Sequence, residues 1–251
     1  MLNTPRALGW HPPESRGRAP HQGLRVATPG GFAALRPEVL LEHLPPVYDQ
    51  GSVGSCTAQA LACAVEALLP RAGYAAERPD RAMLYRRERD MIGTPYEDSG
   101  AILADGVEAL RRGWEPEAIE PPPFFDRSWR EQAPTLPATA PRLVSAEALD
   151  FDALTIATEL DAGHVVVVGL SVTEQWSAAW GVEALPEPGG RVIGGHAVAL
   201  VGYSLPRRCW VVRNSWGPQW GTGGSALLPW AWTEMPWCGE AHSLRAVRRA
   251  S

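Results

Sequence analysis

No lysine occurs anywhere in the 251 residues, so all 23 basic side chains are arginines. An excess of arginine, alanine, glycine and proline together is what GC-rich codon usage produces, and that accounts for the missing lysine. The alternative is that a surface without primary amines suits the protein's chemistry. Cysteine is also scarce. Cys56, Cys63, Cys209 and Cys238 are too few to staple a chain of this length, which excludes a disulfide scaffold and favours a reducing setting. No run approaches the roughly 20 apolar residues of a membrane span. The first ten residues lack the apolar centre of a signal peptide, so the expectation is a cytoplasmic chain away from membranes. A net charge of −5 offers no case for nucleic-acid binding. No Cys/His spacing reads as a metal site, and no cofactor is expected.

What is present is a core-forming composition. The chain is 45% hydrophobic with 11 tryptophans, which excludes disorder of the whole, and its length suits one compact unit or two joined lobes. Its charge is uneven. Residues 1–36 carry five arginines against Glu14, a net of +4 that leaves −9 for the rest. This Pro/Gly/Arg-rich stretch has no period of 2 or 3.6 and is expected to be a mobile or loosely draped leader before a domain spanning 37–251. Apolar spacing predicts a helix opening at Cys56 and stopped by Pro70, then helices over 80–91 (capped by Asp80), 101–112 and 151–160. Residues 115–142, crowded with proline, read as an irregular crossing. Strands are expected over 165–172, 192–203, 209–214, 224–228 and 243–247. Helices first and strands afterwards point to an α+β chain of two lobes.

Three segments carry chemistry. Cys56 follows Gln50-Gly51-Ser52-Val53-Gly54-Ser55 and sits at a helix start, where a thiolate is favoured. A lone cysteine there is more often structural. His196, behind Gly194 and Gly195 at the head of an apolar strand, changes the balance, because the glycines leave the imidazole face open for a general base. Asn214, in Asn214-Ser215-Trp216-Gly217 after the next strand, is placed to accept from the far ring nitrogen of His196, with Trp216 covering that bond.

Together these segments resemble the papain-like cysteine peptidases, the C1 family, over about residues 40–235. The Cys56-to-His196 separation of 140 residues falls within the family's usual range of about 130–150. The resemblance implies a helical lobe of about 50–148 facing a β-barrel lobe of about 149–235, with the cleft between. It also implies hydrolysis of peptides or proteins through a Cys56–His196–Asn214 acyl-enzyme route. Gln50 would be an oxyanion donor, Trp216 a supporting wall, and Ser99, Gly100 and Gly195 would bind substrate backbone.

Departures narrow the resemblance to disulfide-poor bacterial members. Val53 stands where secreted members have a bridging cysteine, and Thr57 replaces an aromatic residue. Fewer than 50 residues precede Gln50, too few for a full-length helical inhibitory segment; inhibition by the basic leader stays open. Acyl transfer to an amine on the same site, or a binding module without catalysis, are the alternatives. Cys63, Cys209 and Cys238 are expected as reduced core cysteines, and His164 and His242 as structural. The acidic pairs Glu88/Asp90 and Asp150/Asp152 are expected at solvated helix ends.

Overall fold

The computed structural model describes residues 7–17, 22–117, 136–234 and 238–248. The α+β expectation holds. Three helices come first: α1 (Cys56–Leu68), α2 (Arg81–Met91) and α3 (Leu103–Arg112). A fourth helix, α4 (Ala153–Asp161), and a single turn, α5 (Glu174–Ser177), lie among the strands. Strands β1 (Glu38–Leu40), β2 (Arg142–Ala148), β3 (Val165–Thr173), β4 (Val192–Ser204), β5 (Cys209–Arg213), β6 (Ser225–Pro229) and β7 (Cys238–Arg248) form one sheet of order β2-β7-β3-β4-β5-β6, with β1 added on β4. Among the described residues this sheet is open, with β2 and β6 at its edges, rather than a closed barrel.

The helices form where local chemistry favours them. α1 reads CTAQALACAVEAL, dominated by the strongest helix formers, and every one of its residues is buried. A helix apolar or small on all sides belongs inside a fold rather than on its surface. The Asp80 side chain accepts from Met83 N–H at 2.9 Å to start α2, and Asp152 accepts from Leu154 N–H at 3.1 Å to start α4. Gly113, at φ 125°, ends α3 in a conformation that side chains disfavour.

The central strands sort their side chains by parity. Val165 and Val167 of β3 and Ala197, Ala199 and Val201 of β4 pack with α1, α2 and α3. Val166 and Val168, with Val198 and Leu200, pack with α4 and a tryptophan cluster on the other face. Both faces are covered, so the run at 165–168 is continuous in sequence yet alternates in space.

Several expectations are corrected. β2 lies across the end of the supposed irregular crossing; its pairing with β7 puts 142–148 in the sheet, and β7 carries the sheet on to 248. Sheet residues therefore flank the 149–235 division on both sides, because antiparallel pairing joins segments far apart in sequence. The remainder of the crossing, 118–135, lies outside the described residues. The leader's described residues are not loosely draped. Leu24 N–H donates to Ala148 O, Arg36 pairs with Asp161 at the end of α4, and Trp10 is 2% exposed. Glu88 is fully buried rather than solvated, since the face of α2 that bears it is covered by α1 and α3. Cys63 and Cys209 are buried free thiols as expected; the Cys238 side chain lies outside the described set.

Candidate active site

The site forms where the first turn of α1 meets the first half of β4. Cys56 opens α1, and backbone groups of Ala197, Gly9 and Thr57 hydrogen-bond its sulfur. Ala197 directly follows His196, so the thiol lies against the histidine's own strand. The His196 ring is fully buried. Its Nε2–H donates to Asn214 Oδ1 at 2.8 Å, which leaves Nδ1 as the free lone pair, buried and without a hydrogen-bond partner. Asn214 Oδ1 also accepts from Ser215 N–H at 2.8 Å, which fixes the amide orientation. Trp216 lies against the imidazole at 4.7 Å between ring centroids, and Trp176 meets it edge-on at 6.0 Å.

The same Asn-Ser-Trp segment holds Gln50. Ser215 Oγ–H donates to Gln50 Oε1 at 2.7 Å, and Gln50 N–H donates to Ser215 O at 2.9 Å. Because the carbonyl end of the amide is occupied, its NH₂ end must face away. That end donates to Val53 O at 2.9 Å and to Ala7 O at 3.1 Å. Sequence reasoning had named Gln50, His196, Asn214 and Trp216 but not Ser215, which joins the two motifs.

The second of those acceptors belongs to the leader, whose residues 7–11 cross the site as a strap. Trp10 N–H donates to Gly195 O at 3.2 Å, Ala101 N–H to Gly9 O at 2.7 Å, and His11 N–H to Ala101 O at 3.0 Å. His11 Nε2 also bonds Ser99 O at 2.9 Å. Gly195 and Ser99 thus bond the strap's backbone and side chain, whereas Gly100 packs against Gly9 with its own N–H and carbonyl directed elsewhere. Its N–H donates to Tyr85 Oη at 3.0 Å and its carbonyl accepts from Arg89, so Ala101 provides the backbone rung instead. A one-residue offset of this kind is set by which groups Tyr85 and Arg89 capture, and nothing local in the sequence signals it.

Burial controls the charge state. Desolvation raises the Cys56 thiol to about 12 against the lowering influence of its backbone donors. Desolvation likewise lowers His196 to about 4, opposed by its bond to Asn214. Under the strap the pair is therefore a neutral thiol and a neutral imidazole, although a helix start by itself favours the thiolate. Dry surroundings disfavour both charged forms. Among the described residues no cluster of His, Cys, Asp and Glu could hold a metal. No helix among them is long and apolar enough to cross a membrane.

A family model for papain family cysteine proteases matches residues 144–238, which include His196 and Asn214. An uncharacterised peptidase C1-like protein of Acanthamoeba polyphaga mimivirus is 27% identical over 215 residues, 80% of this chain and 69% of that one. Among solved structures, xylellain, a cysteine protease from Xylella fastidiosa, superposes with a TM-score of 0.76 at 26% identity, covering 96% of this chain and 92% of its own. A procathepsin B of Trypanosoma congolense shares the fold at 16% identity and a TM-score of 0.69, over 96% of this chain and 87% of that one. The chain is thus similar to the papain-like cysteine peptidases, both in the family-model match over residues 144–238 and in its fold.

Proposed function

We propose that Cys56, His196 and Asn214 carry out the peptidase reaction, and that the strapped chain is its latent form. The observation that carries this is the polarity of the histidine. Nε2–H is committed to Asn214, and the unpartnered Nδ1 remains as a proton acceptor on the residue before Ala197, whose backbone bonds the Cys56 sulfur. When the strap leaves, water and substrate polarity reverse the desolvation of both groups. The thiol proton then passes to Nδ1 and the thiolate attacks a peptide carbonyl. The oxyanion that forms takes donors from Gln50 Nε2 and from backbone N–H at the start of α1, a position also favoured by the helix dipole. Protonated His196 returns its proton to the leaving amine, and water releases the acyl group. Asn214 keeps the ring in one tautomer through both transfers, and Trp216 shields that bond from competing water.

Latency follows from what the strap occupies. Ala7 O takes the Gln50 amide, and the Gly9 backbone contacts the Cys56 sulfur, so donor and nucleophile are both engaged. Residues 1–36 act in this scheme as a covering leader on the peptidase body. Free Cys56, Cys63 and Cys209 suit a reducing compartment.

The test is labelling by an epoxide-type thiol inhibitor with the adduct mapped by mass spectrometry. It compares the full chain, Trp10→Ala and Cys56→Ala. Labelling at Cys56 that is faster in Trp10→Ala, with peptide cleavage that Cys56→Ala abolishes, is the expected result. Cleavage persisting in Cys56→Ala would rule out this nucleophile.

A further inference from the structure

The strap side chain sunk deepest beside the site is Trp10, and its cavity has unusual chemistry. Three glycines from three strands make the room. A methyl on Gly169 of β3 would come within 2.1 Å of the indole Nε1, and one on Gly239 of β7 within 2.8 Å of the ring. One on Gly195 of β4 would come within 2.2 Å of the Trp10 carbonyl oxygen. On the floor lies Glu240, fully buried, whose Oε2 accepts from Trp10 Nε1–H at 3.0 Å. Its oxygens also accept from Leu103 N–H at 2.8 Å and Ala104 N–H at 2.6 Å, the open first turn of α3, while His242 Nε2 bonds Oε1 at 3.1 Å. The carboxylate would exist without the strap, because α3 and β7 hold it in place. Without the strap Oε2 keeps only its bond from Leu103 N–H, and a buried carboxylate that loses one of its donors is less well satisfied.

We propose that this cavity is a specificity pocket of the peptidase, and that Glu240 selects substrates presenting a tryptophan side chain there. Shape and polarity agree. Glycine walls admit a flat bicyclic ring, and the carboxylate rewards the one N–H that such a ring carries. Phenylalanine fits the walls but brings no donor to add to those from α3 and His242. A leucine fills less of the slot and has no N–H. Arginine offers donors, but the negative charge already faces two helix N–H groups and His242, and the slot between the glycines is made for a ring. The assignment deepens the role given to the Cys56 site and rests on it.

The experiment uses the full chain carrying Trp10→Ala, which vacates the pocket. Substrates are peptides identical except for one position, scanned along the sequence, that holds Trp, Phe, Arg or Leu. Products are identified by mass spectrometry, and Cys56 reactivity is followed with the epoxide probe. At one position relative to the cut, the Trp peptide should have kcat/KM at least about tenfold above the Phe peptide, the gain expected from one bond to a buried charge. Glu240→Gln in that background should bring the Trp-to-Phe ratio to within about threefold. Gly169→Ala should abolish cleavage of the Trp peptide and shift preference to small side chains. Trp10→Phe in the otherwise native chain, which drops only the N–H, should speed probe labelling by about tenfold.

Equal cleavage of Trp and Phe peptides overturns the assignment and leaves the peptidase intact. A preference for Arg over Trp overturns it too, since charge rather than ring shape would then be selected. If Cys56 takes the probe, yet the Trp peptide is neither cut nor shields the thiol, the pocket assignment fails alone. If Cys56 takes no probe in any variant, the site itself fails, and the pocket with it.

Discussion

Replacing Trp10 with alanine should turn a covered site into an accessible one, and the structure sets the size of the effect. A tryptophan buries about 150–250 Å², and Trp10 keeps only 2% of its surface exposed. At about 25 cal/mol per Å² that burial is worth about 4–6 kcal/mol. The alanine retains a methyl, whereas the cavity and the lost bond to Glu240 act in the opposite direction. Measured Trp-to-Ala costs in cores, about 3–5 kcal/mol, bracket the result. Taking about 4 kcal/mol, strap opening should become about 10³-fold more frequent. The other strap bonds, to Gln50, Gly195 and Ala101, remain.

The assay is the second-order rate of Cys56 alkylation by iodoacetamide, resolved by peptide mass, with urea melts of both proteins. Labelling should accelerate by two to three orders of magnitude (about 10²–10³) with little dependence on urea, because a short strap exposes little surface when it lifts. Rates within about threefold of each other, in two folded proteins, would refute a latch at Trp10. A variant whose labelling follows global unfolding instead would make Trp10 a core residue whose removal merely melts the fold.

Three further outcomes are expected. In the native chain, with the thiol at about 12 and the imidazole at about 4, both groups stay neutral across the intervening range. Alkylation of Cys56 should then show no thiolate plateau near neutral pH, while Trp10→Ala should gain one. Ser215→Ala frees Gln50 Oε1, buried without its 2.7 Å donor. It should cost about 1–3 kcal/mol in a denaturant melt and lower kcat by about 10²-fold as the oxyanion donor loses its orientation. Glu159 is held at about 2, against an ordinary 4.5: burial alone would raise it, but bonds from His164, Arg245 and Ser243 outweigh that. Its folded value is depressed, so its stabilisation of about 3 kcal/mol is complete above the unfolded pKa and disappears as pH falls toward 2. Glu159→Gln should flatten this acid limb in a pH series of thermal melts.

Much of the site was legible because its parts are local. A cysteine at a helix start, a histidine behind two glycines and Asn-Ser-Trp-Gly after a strand each depend on a few neighbouring residues. Helix starts at Asp80 and Cys56 were legible for the same reason, since caps and apolar spacing act within a turn or two. β2 was missed because Arg142–Ala148 follows a proline-rich stretch and gains its strand conformation from β7, nearly a hundred residues further on. Glu88 was misplaced because helical periodicity identifies a face but not what covers it. Glu240 carried no sequence signal, as its meaning comes from α3 N–H groups 136 and 137 positions away.

Sequence alone therefore carried the resemblance to papain-like peptidases, the α+β order and the candidate residues Cys56, His196 and Asn214, all written in short segments. Tertiary structure alone decided that the basic leader is a strap and not a loose tail. Composition could not show it, because the strap is held by scattered partners: Gln50, Ala101, Gly195 and Glu240. It also decided the charge state of the pair, since the dry environment that neutralises Cys56 and His196 is assembled from segments far apart in sequence, the leader's Gly9 among them.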